Sequence, residues 1–197
     1  DLDAPEILRA AAETASENAV DGLFAPLFWM LVGAGIWGLN PALPGPLALA
    51  WGFKAASTLD SMLGYRRGRL RWLGTAGARL DDLLVWLPCR LVAMSLPLAA
   101  GQPGRCLGVL AAAGRDGATD PSPNAGLSQA AYAHVTGVQL GGSNSYGGQI
   151  RQKPLLAAGL PAPDQAAVLQ MLQLNRRLEL LWLTAAAAGA FITKTLS

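Results

Sequence analysis

Five acidic side chains of a chain that is otherwise rich in apolar residues fall in three short segments. Glu17 and Asp21 follow the first helical pattern, and Asp60 lies in the second segment. The third segment contains the adjacent pair Asp81 and Asp82. Because burying a polar group costs free energy, carboxylates retained in so apolar a sequence are candidates for chemistry. These five acids could supply the oxygen ligands that Mg²⁺ prefers.

Basic side chains accompany the same acids. Lys54 precedes Asp60 by six residues, and Arg79 lies just before the acidic pair. Arg90 follows Asp82 by eight residues, which places it on the same face of a helix. Lys and Arg balance the charge of phosphates that Mg²⁺ also binds. The two kinds of charge together predict a site for phosphate and magnesium. A local ion pair, with Arg79 three residues from an acid, remains the alternative.

Two segments between residues 115 and 165 are rich in Gly, Pro, Ser and Asn, and we interpret this region as an ordered functional loop around a short helix at 128–136. Their neutral polar side chains are suited to binding amides and phosphates. The glycine pairs form neither a Walker pattern nor a dinucleotide fingerprint, so bound ATP would not be held by a P-loop. Simple turn chemistry is the alternative for these glycines. The candidate groups in the two segments are Ser122, Asn124, Gly141, Gly142, Asn144 and Tyr146.

The composition limits the class of protein. Hydrophobic residues make up 52% of the 197 and charged residues 14%, against about 25% charged residues in soluble domains. This excludes a disordered chain, a highly charged nucleic-acid binder and a disulfide scaffold, and it favours a membrane protein over an apolar globular one. Cys89 and Cys106 are expected to be free thiols. We interpret His134 as structural, and the start at Asp1 suggests a fragment of a longer protein.

Long uncharged segments predict helices that cross a membrane. Asp3 and Glu6 form a capping-box pattern at the start of the first helix. Residues 23–39 would span about 26 Å as a helix, the short limit for crossing a bilayer. A soluble core helix is the alternative. Residues 47–53 are read as a short segment returning to the surface, and further apolar regions cover 83–114 and 180–193.

These features predict an all-α, multi-pass helical integral membrane protein with an ordered polar loop region, in which residues 1–197 form a single helical membrane domain. The arginines at 66–71 predict a cytoplasmic loop by the positive-inside rule. We therefore expect a protein of the bacterial inner membrane whose active face is cytoplasmic. The expected partners include the lipid bilayer but no nucleic acid, and oligomerisation stays open.

The polar segments, taken in order, are ETASENAVDGLFAPLFW (13–29), FKAASTLDSMLGYR (53–66), GARLDDLLVWLPCRL (77–91) and RDGATDPSPNAGLSQAAYAHVTGVQLGGSNSYGG (115–148). This succession resembles the adenosylcobinamide-phosphate synthase family of cobalamin biosynthesis (CobD/CbiB type). Residues 149–197 are compatible with the family but carry less signature. Members have a further N-terminal membrane portion, which we expect this chain to lack.

The resemblance implies an ATP-dependent ligase that joins adenosylcobyric acid, a corrinoid, to (R)-1-aminopropan-2-yl phosphate, giving adenosylcobinamide phosphate. It implies Mg²⁺ as cofactor and ATP as co-substrate. The catalytic residues, as ligands of Mg²⁺ or as a general base, would be Glu17, Asp21, Asp60, Asp81 and Asp82. The metal ligands among them would be Asp21, Asp60 and Asp82. Substrates would be bound by Asn18, Lys54, Thr58, Ser61, Arg79, Arg90, Ser122, Asn124, Gly141, Gly142, Asn144 and Tyr146.

The sequence departs from the family pattern at a few positions. Ser57 and Val85 stand where the family pattern has Asn, Cys89 where it has Ala, and Leu127 where it has Trp. The first two changes remove amide groups from the expected site, which points to altered activity or a variant amine substrate. A non-catalytic membrane sensor or regulator of the AmpE type is therefore the alternative function, and a transporter with intramembrane charges is a weaker one.

Overall fold

The computed structural model describes residues 3–63, 71–146 and 149–196, and most of these are helical. The helices are α1 (Ala4–Ala19), α2 (Ala25–Leu39), α3 (Pro46–Leu63), α4 (Arg71–Ala99), α5 (Cys106–Asp116), α6 (Ala125–Thr136) and α7 (Gln165–Leu196). A π-helical turn covers Val20–Phe24, and 3₁₀ turns cover Pro103–Arg105 and Gly117–Thr119. Two strands complete the fold, β1 (Leu140–Tyr146) and β2 (Gln149–Leu156).

The chain divides into two compact units. We call the first the hairpin unit; it contains Asp1–Glu17 and Leu91–Ser197. We call the second the central unit; it contains Asn18–Arg90. The candidate residues are distributed over both, so each unit is described by itself.

The start of α1 follows the local sequence. The backbone N–H of Glu6 donates to the Asp3 carboxylate at 2.9 Å, and the N–H of Asp3 donates back to the Glu6 carboxylate at 3.3 Å. This reciprocal pair satisfies two N–H groups that a helix start leaves without partners. The predicted capping box is confirmed.

The π-helical turn that contains Asp21 has a local cause. Pro26 lacks an N–H, and its ring would clash with the carbonyl four residues earlier in a regular helix. The chain widens just before this proline, and the N–H of Ala25 donates to the carbonyl of Val20, five residues back. Single π-helical turns inside α-helices are frequent at functional sites. Asp21 therefore lies in backbone that a regular helix would not provide.

In the central unit, α2 and α3 form a helical hairpin with close backbone contact. A Cβ on Gly33 would lie 2.8 Å from both the Gly45 carbonyl oxygen and the Pro46 Cα, so a side chain there would not fit. The indole of Trp29 donates to the carbonyl of Leu84 at 3.1 Å, which links α2 to α4. Residues 47–53, expected to be a short segment, instead form the start of an 18-residue helix.

The hairpin unit corrects the expectation of an all-α protein. The predicted loop region at 115–165 contains α6 and an antiparallel pair of strands in which Ser143 lies opposite Gln152. A β-bulge occurs between Leu140 and Gly142. Gly, Ser and Asn are weak strand formers, so this sequence favours a loop by composition alone. Pairing with β2, in which Gly142 lies opposite Lys153 and Tyr146 lies opposite Gln149, decides the structure.

Helix α6 is the buried element of the hairpin unit. Tyr132 is fully buried and its hydroxyl donates to the Asn175 side chain on α7. The amide of Asn175 in turn donates to the carbonyl of Ala15 on α1 at 3.4 Å. On α7, Met171, Leu174 and Leu178 are buried. These contacts pack α1, α6 and α7 around one core.

Two helical segments are long and apolar enough to cross a membrane, Ala4–Leu39 and Trp72–Ala99. In α4, 82–99 is the one run of 18 residues with at most two charged side chains, so Asp81 lies just outside it. Only about a third of each apolar stretch is buried (33% and 39%). Helices of this kind support membrane association weakly, because core helices of soluble proteins share these properties. The arginines predicted to form a cytoplasmic loop, at 66, 67 and 69, lie outside the described residues.

Candidate functional site

The central unit gathers three acids and a lysine on two neighbouring helices. Helix α3 carries Lys54 and Asp60, and α4 carries Asp81 and Asp82. The backbones approach closely, since a Cβ on Gly77 of α4 would lie 3.7 Å from the Cα of Asp60. Asp81 interacts electrostatically with the other three charged groups. We call this group the acid cluster.

Within the acid cluster, the carboxyl of Asp81 has a raised pKa. Burial raises the pKa of its carboxyl from 3.8 to about 6, and the nearby carboxylates of Asp60 and Asp82 act in the same direction. A hydrogen bond with the Ser57 side chain and the positive charge of Lys54 oppose the rise. The other oxygen, Oδ1, is buried and has no hydrogen-bond partner among the described residues. A carboxyl whose pKa lies near neutrality can act as a general acid or base.

The acid cluster can contribute to a magnesium site together with a phosphorylated substrate. Within the described ranges, no group of three or more His, Cys, Asp or Glu side chains is close enough to hold a metal ion by itself. Mg²⁺, however, commonly takes only one or two carboxylates and completes its shell with phosphate oxygens and water. The carboxylates of Asp60 and Asp82, which both lie near Asp81, could supply two such oxygens, and Lys54 could offset the charge of the phosphate. The residues present therefore fit this ion.

Lys54 also lines an open hollow along α3. The hollow has a volume of about 480 Å³, and its walls include Trp51, Thr58, Leu59 and Met62. Thr58 was a predicted substrate-binding residue, and the carbonyl of this residue accepts a hydrogen bond from the Ser61 hydroxyl at 3.0 Å. A cationic group beside an apolar wall suits a ligand that has both a phosphate and a ring.

The remaining candidates of the central unit are more dispersed. Arg90 stacks on the ring of Trp86, with 4.2 Å from its guanidinium carbon to the ring centroid, and donates to the carbonyl of the same residue at 2.9 Å. Its position is therefore fixed by contacts within α4. Arg79 and Asn18 are exposed, and Asp21 is half-buried in the π-helical turn.

In the hairpin unit, Glu17 binds a residue that sequence reasoning missed. Its carboxylate accepts a hydrogen bond of 2.8 Å from the side-chain amide of Gln129 on α6. Gln129 is buried at 2% exposure. A buried glutamine inside a helix gives little signal in one sequence, because its spacing does not distinguish it from a surface residue.

Residues 120–126 form the hydrogen-bonded turn that leads into α6. The Asp120 carboxylate accepts from the N–H of Ser122 at 2.9 Å, and the Ser122 hydroxyl accepts from the N–H groups of Asn124 and Ala125 at 3.3 Å each. A Cβ on Gly126 would lie 2.6 Å from the carbonyl oxygen at position 117, so the turn is tightly closed. These polar groups therefore organise a turn at the start of α6.

Gly141 lies at the start of the strand pair in a conformation that requires glycine. Its φ is +78°, and a Cβ there would lie 1.9 Å from the carbonyl oxygen of Pro154. Its N–H donates to the buried carboxylate of Glu13 at 3.0 Å, and the other oxygen of that carboxylate binds Lys153 at 3.1 Å. Gly142 also has a positive φ, +90°. The glycines are thus structural requirements of the bulge, and Glu13 is the acid that contacts them.

Two further predicted residues are described by their backbone. Asn144 lies opposite Arg151 in the ladder, and Tyr146 lies opposite Gln149 at its end. The structure thus brings together Lys54, Asp60, Asp81 and Asp82 in one unit, with Ser57 as an additional partner. In the other unit it places Glu17, the 120–126 turn and the glycines of β1 on separate hydrogen-bonded features.

Comparison with known proteins decides the family. A family-wide sequence model with the description "CobD/Cbib protein" matches residues 1–175 of this chain. The chain belongs to the CobD/CbiB family. The resemblance predicted from the four segments is thereby confirmed.

Named members of the CobD/CbiB family match along most of this chain. The cobalamin biosynthesis protein CobD of Synechocystis sp. is 47% identical over 171 residues, covering 87% of this chain and 48% of the relative. CobD of Pelobacter propionicus is 41% identical over 175 residues, covering 88% and 50%. The cobalamin biosynthesis protein CbiB of Salmonella typhimurium is 36% identical over 193 residues, covering 97% and 54%. The chain therefore spans about half the length of these relatives. No solved structure matches it.

Proposed function

We propose that the protein containing this chain is an ATP-dependent amide ligase, joining adenosylcobyric acid to (R)-1-aminopropan-2-yl phosphate to give adenosylcobinamide phosphate. Membership of the CobD/CbiB family supports a role in cobalamin biosynthesis, since the relatives carry that description. The acid cluster carries the finer proposal. It combines carboxylates, a carboxyl with a pKa of about 6 and a lysine within one unit, as phosphoryl chemistry requires.

The proposed reaction has two steps. A carboxylate is a poor electrophile, so the corrinoid carboxylate first attacks the γ-phosphorus of ATP; the bond from that phosphorus to the bridging oxygen breaks and ADP leaves. The amine of aminopropanol phosphate then attacks the acyl phosphate, and inorganic phosphate leaves as the amide bond forms. The amine loses a proton in this second step, which a nearby carboxylate can accept.

The acid cluster has a role in each step. Lys54 would hold phosphate oxygens and offset their charge. Asp60 and Asp82 would hold Mg²⁺, which stabilises the negative charge that develops on phosphate. Asp81, whose pKa of about 6 lets it exchange a proton near neutral pH, would accept the proton of the amine.

The other predicted residues receive their roles from the family resemblance. In the central unit, Asn18, Thr58, Ser61, Arg79 and Arg90 would contact substrate, and Asp21 would complete the metal ligands. In the hairpin unit, the resemblance gives Glu17 a catalytic role. The corrinoid or the aminopropanol phosphate would be bound by Ser122, Asn124, Gly141, Gly142, Asn144 and Tyr146.

The location is proposed from the two apolar helical segments. Both segments contain an apolar stretch with the length and composition to cross a bilayer, and in the second segment this stretch is 82–99. We propose a multi-pass protein of the bacterial inner membrane. Its polar clusters would face the cytoplasm, where ATP is available.

The test is a ligase assay on membranes that hold the full-length protein. With adenosylcobyric acid, aminopropanol phosphate and Mg-ATP, the expected products are the amide and ADP in equal amounts. Asp60→Asn and Asp82→Asn should each lower the rate by about 100-fold or more, the usual loss when a preorganised charge is removed. Asp164→Asn is the matched control, because its carboxylate only caps α7 by accepting from Ala167 N–H at 2.8 Å, and Asn caps equally well.

A regulatory protein on the same scaffold is the second candidate. Val85, where the family pattern has Asn, is buried at 1% exposure, so this position offers no polar group in the central unit. If the native protein forms no amide and no ADP while a relative with both amides does, the ligase proposal is wrong. Indifference of the biological function to Asp60→Asn and Asp82→Asn would then favour the regulator.

A further inference from the structure

The hairpin unit contains a polar cleft that none of the predicted site residues lines. Its volume is about 720 Å³, within the range of about 300–1,000 Å³ usual for small-molecule sites. The segment before α5, the last residue of α5, the end of α6, the segment after β2 and one residue of α7 form its walls. The polar side chains that line it are Gln102, Arg105, Asp116, His134, Thr136 and Gln170.

The Arg105 guanidinium lines this cleft and uses only some of its N–H groups in hydrogen bonds with the described residues. One guanidinium nitrogen donates to the Gln102 side chain at 2.5 Å, and the other terminal nitrogen donates to the carbonyl of His134 at 3.1 Å. A guanidinium has five N–H donors. The remaining three have no partner among the described residues, so a planar, oriented cation faces a ligand-sized space. This arrangement suits a phosphate, which Arg binds through two parallel hydrogen bonds.

Asp116, the acidic residue that lines the cleft, already accepts two hydrogen bonds. The Asp116 carboxylate accepts from the imidazole of His134 at 2.8 Å and from the N–H of Ala157 at 2.9 Å. Ala157 has a φ of +54°, which is unfavourable for a residue with a Cβ, so this hydrogen bond fixes a strained turn. Because its charge is shared with these donors, Asp116 opposes a bound anion less than a free carboxylate would.

Arg105 and His134 also line a second hollow of about 310 Å³, next to Gly104 and Gly108 at the start of α5. The two side chains therefore border space on two sides. A phosphate held by Arg105 would leave room in the larger cleft for the organic part of a ligand.

We propose that this cleft binds the phosphate monoester of a small soluble molecule, with Arg105 as the principal ligand and the amides of Gln102 and Gln170 as further donors. A monoester is favoured over a diester because it presents three free oxygens, which match several donors converging from different elements. The proposal stands independently of the ligase reaction, because it concerns binding at residues to which that reaction gives no role.

The test is calorimetric titration of the purified chain in a phosphate-free maltoside detergent. The probes are inorganic phosphate, aminopropanol phosphate, ATP and, as a diester, glycerophosphoglycerol. We expect aminopropanol phosphate, the monoester among these probes, to bind, and Arg105→Gln to weaken that binding by at least about tenfold, the effect of removing a charged hydrogen-bonding partner. Arg115→Gln, which replaces an exposed arginine near the end of α5, should leave that binding unchanged.

Gln170→Glu provides a second variant that leaves the bonds of Arg105 intact. Gln170 is exposed on α7, so this variant should fold, and the added negative charge should weaken phosphate binding. The proposal is overturned if no phosphate probe binds at millimolar concentration. It is also overturned if the diester binds better than the monoesters, or if Arg105→Gln and Arg115→Gln have equal effects.

Discussion

Glu13 and Lys153, which are 140 residues apart in the sequence, form an ion pair of 3.1 Å in the hairpin unit. The two side chains differ in how far they are exposed to solvent. The Glu13 side chain is 6% exposed, whereas that of Lys153 is 31% exposed. The same carboxylate also accepts the N–H of Gly141, so one acid on α1 holds both strands of the hairpin.

This asymmetry predicts unequal effects of removing either charge. Lys153→Met leaves the buried carboxylate of Glu13 without its cation, which should cost about 3 kcal/mol of unfolding free energy. Glu13→Gln leaves a lysine that can reach water and keeps an acceptor for Gly141, so about 1 kcal/mol is expected. Thermal and denaturant unfolding of the purified chain measure both values, with Glu179→Gln as the control. Equal losses from the two variants would contradict this account.

Gly141 provides a second prediction, because position 137 offers a matched comparison. Both glycines have a positive φ, +78° and +76°. A Cβ at Gly137 meets nothing within 4 Å, whereas at Gly141 it would lie 1.9 Å from the Pro154 oxygen. Gly137→Ala should therefore cost only the conformational strain, about 1 kcal/mol. Gly141→Ala must in addition separate the strands, and should cost several times more.

The strand separation can be observed directly by amide hydrogen exchange. In Gly141→Ala, the amides of β1 and β2 should exchange faster than in the native chain, while those of α6 should change little. In Gly137→Ala the strands should keep their protection. Equal protection of the strands in both alanine variants would show that the backbone accommodates a side chain at Gly141.

The raised pKa of Asp81 predicts how stability depends on pH. Its carboxyl titrates at about 6 when folded and at an ordinary value of 3.8 when unfolded. The folded state therefore binds the proton more tightly, and the resulting stabilisation is complete below pH 3.8 and lost as the pH rises through about 6. Asp81→Asn, which carries no charge, should be more stable than the native chain at neutral pH by about 1 kcal/mol, after allowance for the partial exposure of the carboxyl.

Thermal unfolding of the native and Asp81→Asn chains, measured as a function of pH, gives the difference in stability between the two. The difference between them should grow from pH 3.8 to 6 and stay constant above. Asp164→Asn, at the start of α7, serves as the matched control and should show no such rise. A difference that is the same at every pH would mean that the carboxyl does not change protonation in this range.

Sequence reasoning succeeded where the cause is local or periodic. The capping box of Asp3 and Glu6 lies within one turn, and long apolar runs gave the helices. Of the five acids that the sequence predicted to act together, Asp60, Asp81 and Asp82 interact in the structure, because packing of α3 against α4 brings Asp60 close to Asp81. The apolar composition alone could not determine which helices pack together.

The features that the sequence did not reveal depend on distant partners. The carboxylate of Glu13 contacts Gly141 over a separation of 128 residues, and the spacing of the acids along α1 gave no indication of this contact. The hairpin has Gly, Ser and Asn in one strand, and pairing with the other strand is what makes it form. The hydrogen bonds of Gln129 with Glu17 and of His134 with Asp116 likewise depend on how α6 packs, which the sequence pattern does not determine.

Ser57 gives the last prediction, because it lies where the family pattern has Asn and its side chain hydrogen-bonds to Asp81. In the full-length protein, Ser57→Asn adds an amide that can donate to a substrate oxygen as well as to the acid. We expect it to raise the rate of amide formation with aminopropanol phosphate by about tenfold, the effect of one added hydrogen bond in a transition state. Ser57→Ala should lower the rate, since it leaves the half-buried Asp81 carboxylate with one partner fewer.

Ala48→Asn, an exposed position on the same helix, is the control for the added amide and should leave the rate unchanged. A second arm replaces aminopropanol phosphate with other amines. If native Ser57 suits a different amine, Ser57→Asn should reduce the rate with that amine while raising it with aminopropanol phosphate, because the longer side chain fills space that the native site leaves to its substrate. Identical rates for native, Ser57→Asn and Ser57→Ala with every amine would remove Ser57, and with it the hydrogen bond to Asp81, from the reaction.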